Sequence, residues 1–171
     1  NSNTLYEDII SVGAYKKLMI QKSVVNLNFL SYIVPEKIRR VLIKQWGIFT
    51  EADIDVVLDA SGFTYGDQWS SMHIRQVSQE IKRLSKKNKH YIFLPQALGP
   101  FSRKSDRHNF RKALPEAALI FAREESSYAN IAELIPNSTN LFKYPDFTNL
   151  VKGITPEYFD NGLDKFLIIP N

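Results

Sequence analysis

The chain has 171 residues, 44% apolar and 23% charged, with a formal net charge of +4 and no cysteine. That length buries one core and is short for two complete domains, and the composition excludes a disordered chain. The lack of cysteine excludes disulfides, thiolate metal sites and thiol catalysis, while the positive charge favours anionic partners: nucleic acid, phosphorylated substrates or an anionic membrane surface. No apolar run approaches the roughly 18 residues that a membrane-spanning helix needs. The opening Asn-Ser-Asn-Thr has neither the basic flank nor the apolar stretch of a signal peptide, and for a chain without cysteine the cytoplasm is the default compartment expected.

In chain order, Leu5, Ile9, Ile10 and Leu18 predict a first helix over residues 5–18, with Thr4 as its cap. Residues 21–32 carry Val24, Val25, Leu27, Phe29 and Leu30 in a pattern that fits either a strand or a core helix. Pro35 begins a helix running to Trp46, with Ile38, Val41, Leu42 and Ile43 inward and Lys37, Arg39, Arg40 and Lys44 outward, and Gly47 ends it. Val56, Val57 and Leu58 form a short buried strand closed by Asp59, and Ser61, Gly62 and Gly66 make the loop after it. Trp69, Met72, Val77, Ile81 and Leu84 then mark the apolar stripe of a helix over 69–85. The basic cluster Lys82, Arg83, Lys86, Lys87, Lys89 and His90 falls where that helix ends, and cations there complement its dipole.

A second strand, Tyr91–Leu94, enters the loop Pro95–Phe101. Ser105 and Asp106 cap a helix from Arg107 to Leu114, which Pro115 interrupts. Ala118–Ala122 is a third strand, and Arg123 to Ser127 opens a helix through Ile135 with Tyr128, Ile131, Ala132 and Ile135 inward. Leu141–Tyr144 is a fourth strand, followed by Pro145-Asp146-Phe147, and Phe166–Ile169 is a last one. Strands alternating with helices, without Asn-Gly hairpin turns, predict an α/β fold: a parallel sheet with helices on both faces. In such sheets ligands bind at the loops beyond the carboxyl ends of the strands.

The fingerprints G-x-G-x-x-G, G-x-x-x-x-G-K-[ST] and G-x-S-x-G are absent, and His73, His90 and His108 lack the spacing of metal ligands. Asp59, at a strand end, reads equally as a catalytic carboxylate and as a cap of the following turn. Asp67 reads first as a helix cap. Arg123, directly after a buried strand and at a helix start, presents a fork of donors suited to a phosphate or carboxylate, and a salt bridge to Glu124, Glu125 or a neighbouring loop is its alternative. Ser126 and Ser127 stand at the same helix start, and Asp146 after Pro145 reads as a turn former.

In this order the pieces resemble the amino-terminal half of the polysaccharide pyruvyl transferase family. The residues that carry the resemblance are Asp55-Val-Val-Leu-Asp-Ala-Ser-Gly62 with Gly66-Asp67, then Gln96-Ala-Leu-Gly-Pro-Phe101, Ile120-Phe-Ala-Arg-Glu-Glu-Ser-Ser127 and Pro145-Asp146. Two positions differ from the family pattern: Ala60-Ser61-Gly62 stands where adjacent glycines are usual, and Glu124 where aspartate is. The resemblance implies one Rossmann-like domain of a longer, two-domain protein built like a nucleotide-sugar glycosyltransferase, with these residues inactive on their own. The implied reaction moves a pyruvyl group from phosphoenolpyruvate, as donor substrate and without a cofactor or metal, onto a sugar of a surface polysaccharide or a lipid-linked oligosaccharide. Asp59 and Asp67 are then the catalytic candidates, and Gly62, Tyr65, Gln96, Gly99, Arg123 and Ser127 the substrate-binding ones. Nucleic acid is not an implied partner, and the protein would work in the cytoplasm, peripherally at the inner face of the membrane. The rival readings are a glycosyltransferase half-domain that binds a nucleotide sugar and a non-catalytic carbohydrate-binding relic of the fold.

Overall fold

The computed structural model describes residues 27–150, preceded by short strands at Lys16–Lys17 (β1), Gln21–Lys22 (β2) and Val25–Asn26 (β3). The helix expected over 5–18 lies outside the described residues except at β1, which pairs in parallel with Ile48–Phe49 (β4). Long-range pairing decides the conformation there, and a local apolar pattern does not encode it. Residues 21–32 hold strand and helix both: β2 and β3 pair antiparallel, and Asn28–Tyr32 form a 3-10 helix. The strand expected at 166–169 lies outside the described residues.

Helix α1 spans Glu36–Trp46, and Gly47 ends it in the left-handed region at φ 58°, where its N–H donates to the Ile43 carbonyl. Pro35 precedes the helix rather than opening it, its carbonyl accepting the N–H groups of Ile38 and Arg39. No residue of α1 is fully buried. Ile38 and Val41 are exposed, and Arg39, expected outward, instead turns to the Val34 carbonyl and the Asp53 carboxylate. Asp53 belongs to the 3-10 turn Glu51–Asp53, whose buried Glu51 takes a two-pronged bond from Arg83 at 3.0 and 2.8 Å. That pair pins the amino-terminal segment to the body of the protein.

The body is a parallel sheet of four strands in the order β5 (Val56–Asp59), β6 (His90–Gln96), β7 (Leu119–Ala122) and β8 (Leu141–Lys143). Helices α2 (Ser71–Ser85), α3 (Lys104–Ala113) and α4 (Glu125–Leu134) make the crossovers. The predicted α/β parallel sheet flanked by helices is therefore observed. Register explains which face is covered. Asp59 pairs with Phe93, Phe93 with Ile120 and Ile120 with Leu141, one row of buried residues running across the sheet toward α2, α3 and α4. The neighbouring row, Leu58 with Ile92 and Ile92 with Leu119, points the other way, and Leu58 is exposed. Each strand adds to the sheet on the same side as the one before. Right-handed crossovers wound in one direction bring α2, α3 and α4 over the row of Asp59, Phe93, Ile120 and Leu141, and the 3-10 helix Phe147–Leu150 meets Leu94 and Phe121 of the neighbouring row.

The core under those helices joins Ile74, Val77, Ile81 and Leu84 of α2 to Phe110, Ala113 and Leu114, to Phe93 and Ile120 of the sheet, and to Ile131 and Leu134 of α4. Helix α2 begins later than expected: Ser70 is its cap, accepting the Met72 N–H, so Trp69 is not part of the buried stripe. Helix α3 begins earlier than expected, at Lys104, because Asp106 does not cap it. Its buried carboxylate turns to the Arg103 guanidinium at 2.7 Å and the Ser71 hydroxyl at 3.1 Å. Strand β6 runs on through Pro95 to Gln96, with a register shift between Phe93 and Gln96. Proline donates no ladder hydrogen bond, and a local irregularity accommodates it. The basic cluster after α2 is partly engaged: the Lys89 ammonium donates to the Glu51 and Ala52 carbonyls, and Lys87 and Lys89 lie over the Tyr32 ring.

Candidate functional site

All strands of the sheet run the same way, so the loops after β5, β6, β7 and β8 gather at one edge. The catalytic and substrate-binding candidates Asp59, Gly62, Tyr65, Asp67, Gln96, Gly99, Arg123 and Ser127 lie there. Gly62 and Gly99 belong to loops at that edge zipped together by backbone hydrogen bonds: Ala97 N–H to Gly62 O and Gly99 N–H to Tyr65 O, both 2.8 Å, and Asp67 N–H to Pro100 O at 3.1 Å. Gly99 sits at φ 95° and precedes a cis Pro100. Gly66 has no room for a side chain, since a Cβ would lie 2.7 Å from the Gly99 carbonyl oxygen.

Beneath this double loop Asp59 is 6% exposed. Its Oδ2 accepts from the Tyr65 and Tyr91 hydroxyls at 2.7 Å each, and its Oδ1 accepts the Ser61 N–H at 3.0 Å and the Ser61 hydroxyl. This is the turn cap, extended by two tyrosines. Burial, together with the Asp59 charge, pushes the Tyr65 hydroxyl well above its ordinary pKa, so it stays protonated and donating. Tyr65, counted among the substrate-binding candidates, is therefore buried with its hydroxyl committed to Asp59. Gln96 is fully buried. Its Nε2 reaches toward the Asp59 carbonyl at 3.5 Å, and its Oε1 finds no partner among the described residues. Ser127 is buried too, its Oγ accepting the Leu98 N–H at 2.8 Å and donating to Glu124.

Two of the candidates stand nearer the surface. The Asp67 carboxylate accepts the Ser102 N–H with its oxygens at 3.1 and 2.9 Å, and the Arg103 Nε lies 3.8 Å away. Desolvation works to raise the Asp67 pKa, but the Ser102 backbone and hydroxyl and the Arg103 charge outweigh it and hold the carboxyl below its ordinary value. Asp67 thus stays ionised, bound to the next loop rather than to its own helix. Arg123 pairs with Glu124 at 3.2 Å through Nε and with Asp146 at 3.1 Å through Nη1. Desolvation opposes its charge, while the bonds to Asp146 and Glu124 prevail and push its pKa up. Asp146 also forms the predicted turn, accepting from the Thr148 N–H and hydroxyl.

The sequence reading passed over Ser102 and Arg103. Arg103 ties the edge together, donating to the carbonyls of Gly66 at 3.1 Å and Trp69 at 2.7 Å as well as to Asp106. The only sequence signal was an arginine three residues before an aspartate at a helix start. An apolar hollow of about 300 Å³ opens beside Arg123 and Asp146, lined by Leu94, Phe121, Tyr144, Phe147 and Leu150. A larger one of about 620 Å³, near Arg111, Pro115 and Asn140, lies away from these loops, where the crossover helices end. Among the described residues no group of His, Asp and Glu is arranged to hold a metal ion, and no helix is long and apolar enough to cross a membrane.

Comparison with curated proteins and with solved structures found no match. The model of the polysaccharide pyruvyl transferase family matches residues 2–171. With that match over the same loops that carry the motifs, the chain belongs to the polysaccharide pyruvyl transferase family.

Proposed function

We propose that this chain supplies the acceptor-side wall of an enzyme that transfers a pyruvyl group from phosphoenolpyruvate to a sugar of a surface polysaccharide or its lipid-linked precursor. The overall change is the formation of a ketal. Two sugar hydroxyls form C–O bonds to the enol carbon and the bond from that carbon to the phosphate oxygen breaks. One hydroxyl proton ends on the methylene carbon, making it a methyl group, and the other leaves with the phosphate. Such a reaction needs an ionised acceptor of hydrogen bonds beside the attacking hydroxyl and cations beside the phosphate.

The observation that carries the reading is the Asp67 carboxylate, partly exposed at the carboxyl edge and held ionised by the Ser102 N–H and Arg103. In this role Asp67 orients the attacking hydroxyl and draws on its proton as the C–O bond forms. Asp59, saturated by Ser61, Tyr65 and Tyr91, serves as the positioning carboxylate that fixes the loop bearing Asp67. Arg123 is the cation for the donor, and binding an anion there exchanges Asp146 for a phosphate or carboxylate oxygen. Gly62, Gly99, Gln96 and Ser127 hold the backbone of the double loop. Calorimetric titration of the intact protein with phosphoenolpyruvate, and separately with nucleotide sugars, tests the reading. Saturable binding of phosphoenolpyruvate alone supports it, and preference for a nucleotide sugar replaces it with a glycosyltransferase.

A further inference from the structure

Beside Asp67 stands an exposed pair of aromatic rings that the roles above leave unused. Phe63 is 56% exposed and Trp69 42%. Their ring centroids are 5.8 Å apart with the planes inclined at 39°, and His73 meets Trp69 edge-on at 6.5 Å. Single exposed apolar side chains are ordinary on a protein surface, whereas adjoining rings at a ligand-binding edge form a patch with a use.

The backbone under both rings is fixed. Phe63 N–H donates to the Ser61 carbonyl at 2.9 Å and its own carbonyl accepts from Gln68 Nε2 at 3.3 Å. Trp69 N–H donates to the Gly66 carbonyl at 3.2 Å, and its carbonyl accepts the Arg103 Nη2 at 2.7 Å. A platform ordered in advance loses little freedom when it takes a ligand.

We propose that Phe63 and Trp69 form a stacking platform for a pyranose ring of the saccharide acceptor, with the Asp67 carboxylate and the Gln68 amide as polar partners at its rim. The proposal rests on the acceptor-side reading above and names the part of the acceptor that this chain grips. A pyranose has an apolar face of C–H groups and a rim of hydroxyls. Tilted rings strip water from the face, while a carboxylate and an amide recognise the rim. An apolar protein segment would need a broader apolar surround than Asp67, Gln68, Ser70 and Arg103 provide. Nucleic-acid bases also stack on aromatic rings, but the ionised Asp67 repels their phosphates.

The chain has two tryptophans, Trp46 and Trp69, so Trp46→Phe leaves Trp69 as the sole tryptophan reporter. The intact Trp46→Phe protein is titrated with lactose, cellobiose and the methyl β-glycosides of galactose, glucose and mannose, with glycerol as a hydroxyl-only control. The expected result is a saturable change in Trp69 fluorescence with at least one saccharide and none with glycerol. In proteins that retain Trp46, calorimetry with the responding saccharide should show affinity reduced about tenfold by Trp69→Ala or Phe63→Leu and largely kept by Trp69→Phe. Phe63→Leu keeps the apolar volume and loses the plane, so its effect separates stacking from packing. No saturable change with any saccharide, equal affinity in Trp69→Ala, or a change of oligomeric state in Trp69→Ala without a change in affinity overturns the proposal. Phosphate release from phosphoenolpyruvate is followed in parallel. Saccharide binding through Trp69 without phosphate release leaves the platform standing and removes the pyruvyl-transfer reading, and phosphate release indifferent to Trp69→Ala does the reverse.

Discussion

Replacing Asp59 by alanine tests its structural role, because its partners are buried. The substitution leaves the Tyr65 and Tyr91 hydroxyls, on residues 7% and 4% exposed, with no carboxylate to donate to. An unsatisfied buried donor costs about 1–3 kcal/mol, and a hydrogen bond to a charged group contributes about 1.5–3 kcal/mol. Discounting for overlap between these terms, Asp59→Ala should cost about 3–5 kcal/mol, a large part of the roughly 5–15 kcal/mol of a typical domain. The sharper expectation is one of sign. Adding Tyr65→Phe and Tyr91→Phe to Asp59→Ala removes the orphaned hydroxyls, so the triple variant should be more stable than the single one by about 1–2 kcal/mol. Urea unfolding followed by circular dichroism measures both differences. An Asp59→Ala protein within about 0.5 kcal/mol of the parent, or a triple variant less stable than the single, would refute the structural assignment of Asp59.

Gly99 and Gly62 both have positive φ, at 95° and 75°, but a Cβ on Gly99 would meet Asn130 Nδ2 at 2.5 Å whereas one on Gly62 meets open space. Gly99→Ala should therefore cost about 2–3 kcal/mol and Gly62→Ala only about 1 kcal/mol, read as a difference in thermal midpoints. Because the folded-state pKa of Asp67 is depressed, its stabilising contribution is present above the unfolded value, near 4, and is lost as pH falls through the lower folded value. Asp67→Asn should accordingly flatten the acid limb of a stability-against-pH curve, and an unchanged limb would count against the Ser102 contact. For the donor, Arg123→Lys keeps the charge but loses the fork and should weaken phosphoenolpyruvate binding. Asp146→Asn removes the carboxylate that now competes for Nη1 and should strengthen it. Calorimetry that finds both variants equal to the parent would return Arg123 to a purely structural ion pair.

The sheet was legible because buried parallel strands write themselves as short apolar runs and their crossovers as amphipathic helices. Val56 to Asp59, Tyr91 to Leu94 and Ala118 to Ala122 each gave a strand within a few residues of its observed bounds. The amino-terminal part was less so, because β1 depends on pairing with β4, about thirty residues further on in the chain. At the site, position was readable and role was not. Gly62, Gly99 and Arg123 announced loops at the carboxyl edge, yet whether Asp59 faced solvent depended on Tyr65 and Tyr91, and the latter comes from a neighbouring strand. Trp69 fits the period of the helical stripe, and only the Ser70 cap puts it outside the helix. Asp67 is captured by Ser102, from a loop that no local rule connects to it.

Transfer of the pyruvyl group by the intact protein, compared between parent and Asp67→Asn, tests the proposed chemistry most directly. With phosphoenolpyruvate and a saccharide acceptor, Asp67→Asn should lower kcat/KM for the acceptor by about 10²-fold, the low end for a positioned proton acceptor, while phosphoenolpyruvate binds as before. Full transfer activity in Asp67→Asn, or loss of phosphoenolpyruvate binding in step with activity, would contradict the assignment of this edge to the acceptor.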